Sequence, residues 1–220
     1  MSNPNQNHQQ TDQEMILPTQ LFERPPIKHY TQTIPVNIHH FYLTGEIEDD
    51  IERYIELLNV LKTSEPHDTI FIYINSIGGN LTTTVQIINS IKQSQAHVIT
   101  SLEGEACSAA TMVFLSGDKQ IVNENCSFMI HNYSHTSMGK GNEVMLRVEF
   151  VDKYFKKLAQ NLYQGFLTEE EISSVCEGKD MWMDSEEVAH RLGLKKDEAG
   201  IYSIPEEEIE EEIEESETPL

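Results

Sequence analysis

Between residues 70 and 93 the apolar run Ile70-Phe71-Ile72-Tyr73-Ile74 meets the paired glycines of Asn75-Ser76-Ile77-Gly78-Gly79-Asn80, then gives way to helix-spaced residues 81–93. A short continuous run of β-branched and aromatic residues bounded by glycine reads as a buried strand, and the change of period after it reads as a helix. The same hand-over recurs along the chain. Residues 36–43 are strand-like, and Ile47, Ile51, Tyr54, Ile55, Leu58 and Leu61 trace a helical stripe over 47–62. A third strand at 97–102 leads into a helix at 108–116, with short strands at 119–122 and 128–131. The longest helix is expected at 143–164, striped by Val144, Val148, Val151, Phe155, Leu158 and Leu162, and shorter helices at 168–176 and 185–192. This alternation predicts an α/β fold in which the turns at strand ends carry the chemistry.

The turn after the third strand is the most reactive candidate. Ser108 stands between small residues, with Ala106 two before it and Ala110 two after, as the glycines stand in a Gly-x-Ser-x-Gly turn. A serine hydroxyl is a poor nucleophile unless an imidazole takes its proton, and a carboxylate must hold that imidazole in the right tautomer. His131, closing the run Phe-Met-Ile-His, and Asp180, opening Asp-Met-Trp-Met, are the candidates. Two backbone N–H groups must face the developing oxyanion, and Gly78 and Ala109 are assigned to that task. A serine in such a turn is more often a helix cap when considered alone. Cys107 reads as a packing thiol, Asp184 as a helix N-cap and Asp152 as a carboxylate on the long helix. No other histidine reads as a ligand.

Several separated segments resemble the proteolytic subunit of ATP-dependent Clp proteases: Phe41-Tyr-Leu-Thr-Gly-Glu-Ile-Glu-Asp, Ile72-Tyr-Ile-Asn-Ser-Ile-Gly-Gly, Gly104-Glu-Ala-Cys-Ser, Phe128-Met-Ile-His131, Lys179-Asp180 and Ser185-Glu-Glu-Val-Ala-His-Arg-Leu-Gly-Leu. The resemblance implies a crotonase-like superhelix of repeated ββα units with a protruding long helix, the helix at 143–164. It also implies a Ser108, His131, Asp180 triad with Gly78 and Ala109 as oxyanion donors. The substrate implied is an unfolded polypeptide, lying extended along Gly79, Asn80 and Leu81 on one side and Asn132 and Tyr133 on the other. Members form stacked homo-oligomeric rings fed by an AAA+ ATPase, so any ATP is used by that partner and no cofactor by the chain. The sequence departs from the family pattern at Ile77, where proline is usual, at Gly178-Lys179, where an acidic residue and an arginine are common, and at Asn132-Tyr133-Ser134-His135, which replaces Pro-Leu-Gly-Gly.

At 220 residues the chain can bury about 70% of its unfolded surface in one core. The domain is expected over 21–204, between a polar disordered segment at 1–20 and an acidic disordered tail at 205–220. The formal charge is −22, and nine of the carboxylates lie in 206–217, so the remainder still carries −13. Such a balance excludes a duplex nucleic-acid binder, which needs a basic footprint. No apolar run reaches membrane-spanning length, and no signal-peptide pattern opens the chain, so a cytoplasmic protein is expected. Three cysteines without metal-type spacing fit reduced thiols, and no metal is expected. Two rival readings remain: a catalytically reduced ring partner of the same fold, and an acyl-thioester enzyme that uses two amide donors without the triad.

Overall fold

The computed structural model describes residues 35–205; the expected disordered segments at 1–20 and beyond 205 lie outside the described residues. Strand β1 (Ile38–Ile47) is followed by a short 3-10 turn and helix α1 (Ile55–Thr63), then β2 (Thr69–Gly79) and α2 (Leu81–Gln93). Next come β3 (His97–Cys107), α3 (Ala109–Phe114), β4 (Lys119–Val122) and β5 (Ser127–Ile130). The chain continues through α4 (Gly141–Tyr163), α5 (Glu169–Cys176), β6 (Met181–Asp184), α6 (Ser185–Arg191), β7 (Lys195–Lys196) and β8 (Tyr202–Ser203). The expected α/β class and crotonase-like fold are therefore present.

The three long strands are parallel neighbours, β1 on β2 and β2 on β3. Parallel strands require crossovers, and α1 and α2 provide them. Helix α2 begins at the expected residue because the Asn80 side chain accepts the Thr83 N–H at 2.9 Å. Three strands run further than the apolar pattern suggests. β1 continues past residue 43 to Ile47, so Ile47 lies in the strand and helix α1 begins only at Ile55. β2 continues from Ile74 through the glycines to Gly79, because Glu46 and Ile47 of β1 pair with Gly78 and Gly79. β3 continues from Leu102 to Cys107 because it finds a second partner: residues 99–102 pair with β4, and residues 105–107 pair with β5.

That change of partner places β5 beside the carboxyl end of β3. Phe128 of β5 is fully buried, with Phe114 and Phe166 rings edge-on at 5.6 and 5.5 Å. Aromatic contacts of this kind fix a short strand that has only four residues of ladder to hold it. β6 then pairs antiparallel to β5, Ile130 opposite Met181.

Helix α4 divides into two halves. Phe155, Ala159 and Tyr163 are buried in the core, whereas Met145, Leu146 and Phe150 are 66%, 65% and 67% exposed. The expected stripe is thus buried only toward its end, and Val148 within it stays open at 43%. Beyond α4, Thr168 and Glu171 form a capping box at the start of α5. Arg191 at the end of α6 reaches back with both nitrogens of its fork to the Glu171 carboxylate, each at 2.9 Å, and also bonds Glu187. This clasp brackets the segment that carries Asp180.

The Arg191 guanidinium, aided by the Thr168 N–H, holds the Glu171 carboxyl down at about 2. A carboxylate depressed in the folded state contributes stability that is complete above its unfolded value and lost as pH falls through the folded one. Glu171→Gln is therefore expected to cost about 1–2 kcal/mol at pH 7, the value for a charge-assisted hydrogen bond reduced by solvent screening of a partly exposed pair. That difference should shrink toward zero between roughly pH 4.5 and pH 2, which urea unfolding of both proteins across this range would measure.

Candidate active site

The site gathers at the carboxyl ends of β2, β3 and β5, the end of a parallel sheet where ligands usually bind. Ser108 follows β3 directly and adopts φ 54°, ψ −126°, the left-handed side of the map that non-glycine residues rarely enter. It occupies the N-cap position of α3, yet its side chain caps nothing. The Ser108 N–H donates to the Met129 carbonyl at 2.7 Å, and its own carbonyl accepts from the Thr111 N–H at 3.0 Å and the Thr111 hydroxyl at 2.6 Å. The local chain is thus bent so that the hydroxyl is left over for other work.

The glycine turn packs on this bend. Gly78 has φ 86°, and a Cβ there would lie 2.4 Å from the Cys107 carbonyl oxygen, 2.8 Å from Ser108 Cβ and 2.9 Å from the Ala109 nitrogen. Only glycine permits both the conformation and the approach. Buried Ser76 steadies the turn: its hydroxyl donates to the Gly45 carbonyl at 2.6 Å and accepts the Gly78 N–H at 3.1 Å. Ile77, which stands where the resembled family usually has proline, is exposed, and Gly78 beside it keeps its positive φ.

One cavity of about 820 Å³ is lined by Ser108, His131, Gly78, Gly79, Ala109 and Met112, with Arg147, Phe150 and Tyr154 of α4 opposite. Asn80, Leu81 and Tyr133 line it too, whereas Asp180 and Asn132 do not. His131 is half-buried at the end of β5. Asp180 is exposed, immediately before β6; since Ile130 pairs with Met181 antiparallel, one further step of that register sets His131 against Asp180. Among the described residues no hydrogen bond joins Ser108 Oγ, the His131 ring and the Asp180 carboxylate. Catalytic hydrogen bonds are commonly long before substrate binds.

The expected substrate contacts differ in what they leave free. Asn80 spends its side chain on the α2 cap and its N–H on the Ile47 carbonyl at 2.6 Å. Asn132 donates its side-chain amide to the Cys176 carbonyl at 2.9 Å, tying the segment after His131 to the end of α5. Tyr133 packs on Phe155 of α4, ring centres 5.2 Å apart. Asp184 caps α6 through the Glu187 N–H, and Asp152 pairs with Lys156, so both of these carboxylates are engaged elsewhere. Cys107 is buried, and burial beside Glu105 pushes its thiol up, away from the reactive thiolate. Among the described residues no cluster of three or more His, Cys, Asp or Glu side chains has the arrangement of a metal site. Sequence reasoning missed Ser76, Thr111 and Tyr163. Thr111, three residues after Ser108, carried a local signal, the back-bonding spacing of a hydroxyl residue.

Comparison with known proteins gives the chain's family. The ATP-dependent Clp protease proteolytic subunit 3 of Streptomyces avermitilis is 27% identical over 160 residues, covering 71% of this chain and 72% of that protein. The family model described as Clp protease matches residues 31–197, a span that runs from ahead of β1 to beyond β7 and takes in the Ser108 bend, the glycine turn and the β5–β6 pair. The chain belongs to the Clp protease family.

Proposed function

We propose that this Clp-family protein is a serine endopeptidase that cleaves unfolded polypeptides through an acyl-enzyme on Ser108. The observation that carries the reading is the Ser108 bend: a strained, uncapped serine that shares a cavity with His131 and is pressed against Gly78. Strain of this kind costs about 1–3 kcal/mol and persists where function uses it. In the reaction, His131 takes the Ser108 proton as the oxygen attacks the scissile carbonyl, then returns it to the leaving amine; water repeats the cycle to release the acyl group. Asp180 holds the imidazole tautomer. The oxyanion takes the N–H groups of Ala109 and Gly78, each worth roughly 2.7–4 kcal/mol. The neutral Ser76 hydroxyl now holding the Gly78 N–H at 3.1 Å is the weaker acceptor and yields to the charged oxygen.

The substrate would lie extended between Gly79 to Leu81 and Asn132 to Tyr133, bonding mainly through its backbone, so side-chain selectivity should be loose. Because Asn80 and Asn132 are already bonded within the fold, Gly79 and Tyr133 are the stronger contacts. The open half of α4, with Leu146, Phe150 and Tyr154 in i, i+4 steps, supports assembly of copies into rings, with an AAA+ ATPase as the source of unfolded chains and no cofactor on this subunit. No helix among the described residues is long and apolar enough to cross a membrane, and a cytoplasmic setting fits this reading.

A second reading is a catalytically reduced ring partner, favoured by the absence of a hydrogen bond between His131 and the exposed Asp180. The two separate cleanly. Wild type should hydrolyse short peptides and take up a fluorophosphonate, and Ser108→Ala should lose both by about a thousandfold or more with unchanged assembly size and unfolding temperature. An assembled, folded wild type that does neither sinks the peptidase. Asp180→Asn should lower kcat by about a hundredfold or more with little effect on KM, because it disturbs the tautomer and not the binding; equal kcat would remove Asp180 from the triad. Replacing Leu146 and Phe150 together by serine should shift the particle to smaller size in sedimentation, and an unaltered distribution would exclude α4 as the joining surface.

A further inference from the structure

Two buried hydroxyls that the reaction does not consume end on the nucleophile's own carbonyl. Thr111 of α3 is fully buried, and Tyr163, the last residue of α4, is 1% exposed. Thr111 Oγ1 lies 2.6 Å from the Ser108 carbonyl oxygen and 2.8 Å from the Tyr163 hydroxyl. A carbonyl only accepts, so the Thr111 proton points to Ser108, and Tyr163 must donate to Thr111. Burial pushes the Tyr163 phenol up, so it remains a neutral donor. The direction of the chain is therefore fixed: Tyr163 to Thr111 to Ser108.

The Ser108 carbonyl and the Ala109 N–H belong to one peptide plane, and in a trans peptide they point in opposite directions. Whatever holds that carbonyl also aims that N–H. No side-chain cap restrains the turn. Its other side is held by the Ser108 N–H on Met129.

We propose that Thr111 and Tyr163 are positioning residues that fix the Ser108–Ala109 peptide plane, keeping the nucleophile bent and the Ala109 N–H aimed at the oxyanion. The inference rests on the serine peptidase reading. It gives α4 a role in the reaction through its buried end, since Tyr163 shares that helix with Phe155, which packs on Tyr133 of the post-histidine segment. Because the effect falls on the transition state and not on substrate binding, it should appear in kcat and leave KM alone.

The test compares wild type, Thr111→Ser, Thr111→Val, Tyr163→Phe and the Thr111→Val/Tyr163→Phe double variant on one short peptide, well below each melting temperature. Fluorophosphonate uptake at Ser108 is followed in parallel; there the Ser108 oxygen bonds phosphorus, fluoride departs and His131 takes the proton. Thr111→Val should lower kcat and uptake about tenfold or more with KM within about twofold, and Thr111→Ser, which keeps the hydroxyl, should remain within about threefold of wild type. Tyr163→Phe should lose roughly three- to tenfold, and the double variant should be no worse than Thr111→Val, since links in series are not additive. Wild-type kcat and uptake in Tyr163→Phe and Thr111→Val would overturn the proposal while leaving the peptidase standing. Should Thr111→Val fail to fold, Tyr163→Phe decides alone, and unchanged kcat there overturns it. Losses that multiply in the double variant also overturn it. A wild type without hydrolysis or uptake removes the peptidase reading, and this one with it.

Discussion

One edge of β3 serves two strands, and the site depends on that exchange. Up to Leu102 the edge is paired with β4, and from Glu105 onward with β5. On its other edge the pairing with β2 slips between Ile74 and Ser76, and the Asn75 side chain fills the gap by accepting the Glu105 N–H at 3.2 Å. Gly104 leaves room for that amide: a Cβ there would come within 2.7 Å of the Asn75 oxygen and push it off the Glu105 N–H. A β3 that kept β4 to its end would leave Ser108 without the Met129 carbonyl and His131 on a strand elsewhere. The switch of partner converts three separate strand ends into one surface.

The bend at Ser108 is then held from several directions at once. Gly78 presses from β2, Met129 takes the N–H from β5, and Thr111 with Tyr163 takes the carbonyl from α3 and α4. Each contact is ordinary, worth about 1 kcal/mol for a hydrogen bond. Together they match the cost of keeping a serine on the left-handed side of the map. Helix α4 is thereby divided in function as well as burial: its end is part of the support for the turn, while Leu146 and Phe150 face away from the chain's own core.

Much of the fold was legible because it is written in short-range patterns. Helix α2 occupies the expected 81–93, since Asn80 caps its start and the apolar period runs to its end. β4 is likewise where its pattern placed it. The ends of β2 and β3 were placed too early, because glycines and small residues pair in a ladder without an apolar signature. β6, β7 and β8 went unread: β7 and β8 are two residues long, too short for a period to appear, and β6, Met-Trp-Met-Asp, lacks the β-branched residues that mark β4. At the site, Ser108 and Gly78 stood out through their small or glycine neighbours. The Tyr163 hydroxyl could not stand out, because 52 residues separate it from its partner Thr111.

Local patterns in the chain were enough to give most of the order of strands and helices and the Asp184 cap of α6, and motifs spread along it were enough to give the family. The three-dimensional packing was needed to show that β3 changes partner, that Asn80 and Asn132 are committed inside the fold, that the Gly78 N–H rests on Ser76, and that Asp180 stands one register step from His131. These depend on which strand edges find each other and how closely backbones approach, and such contacts between distant segments have energies that no local pattern encodes.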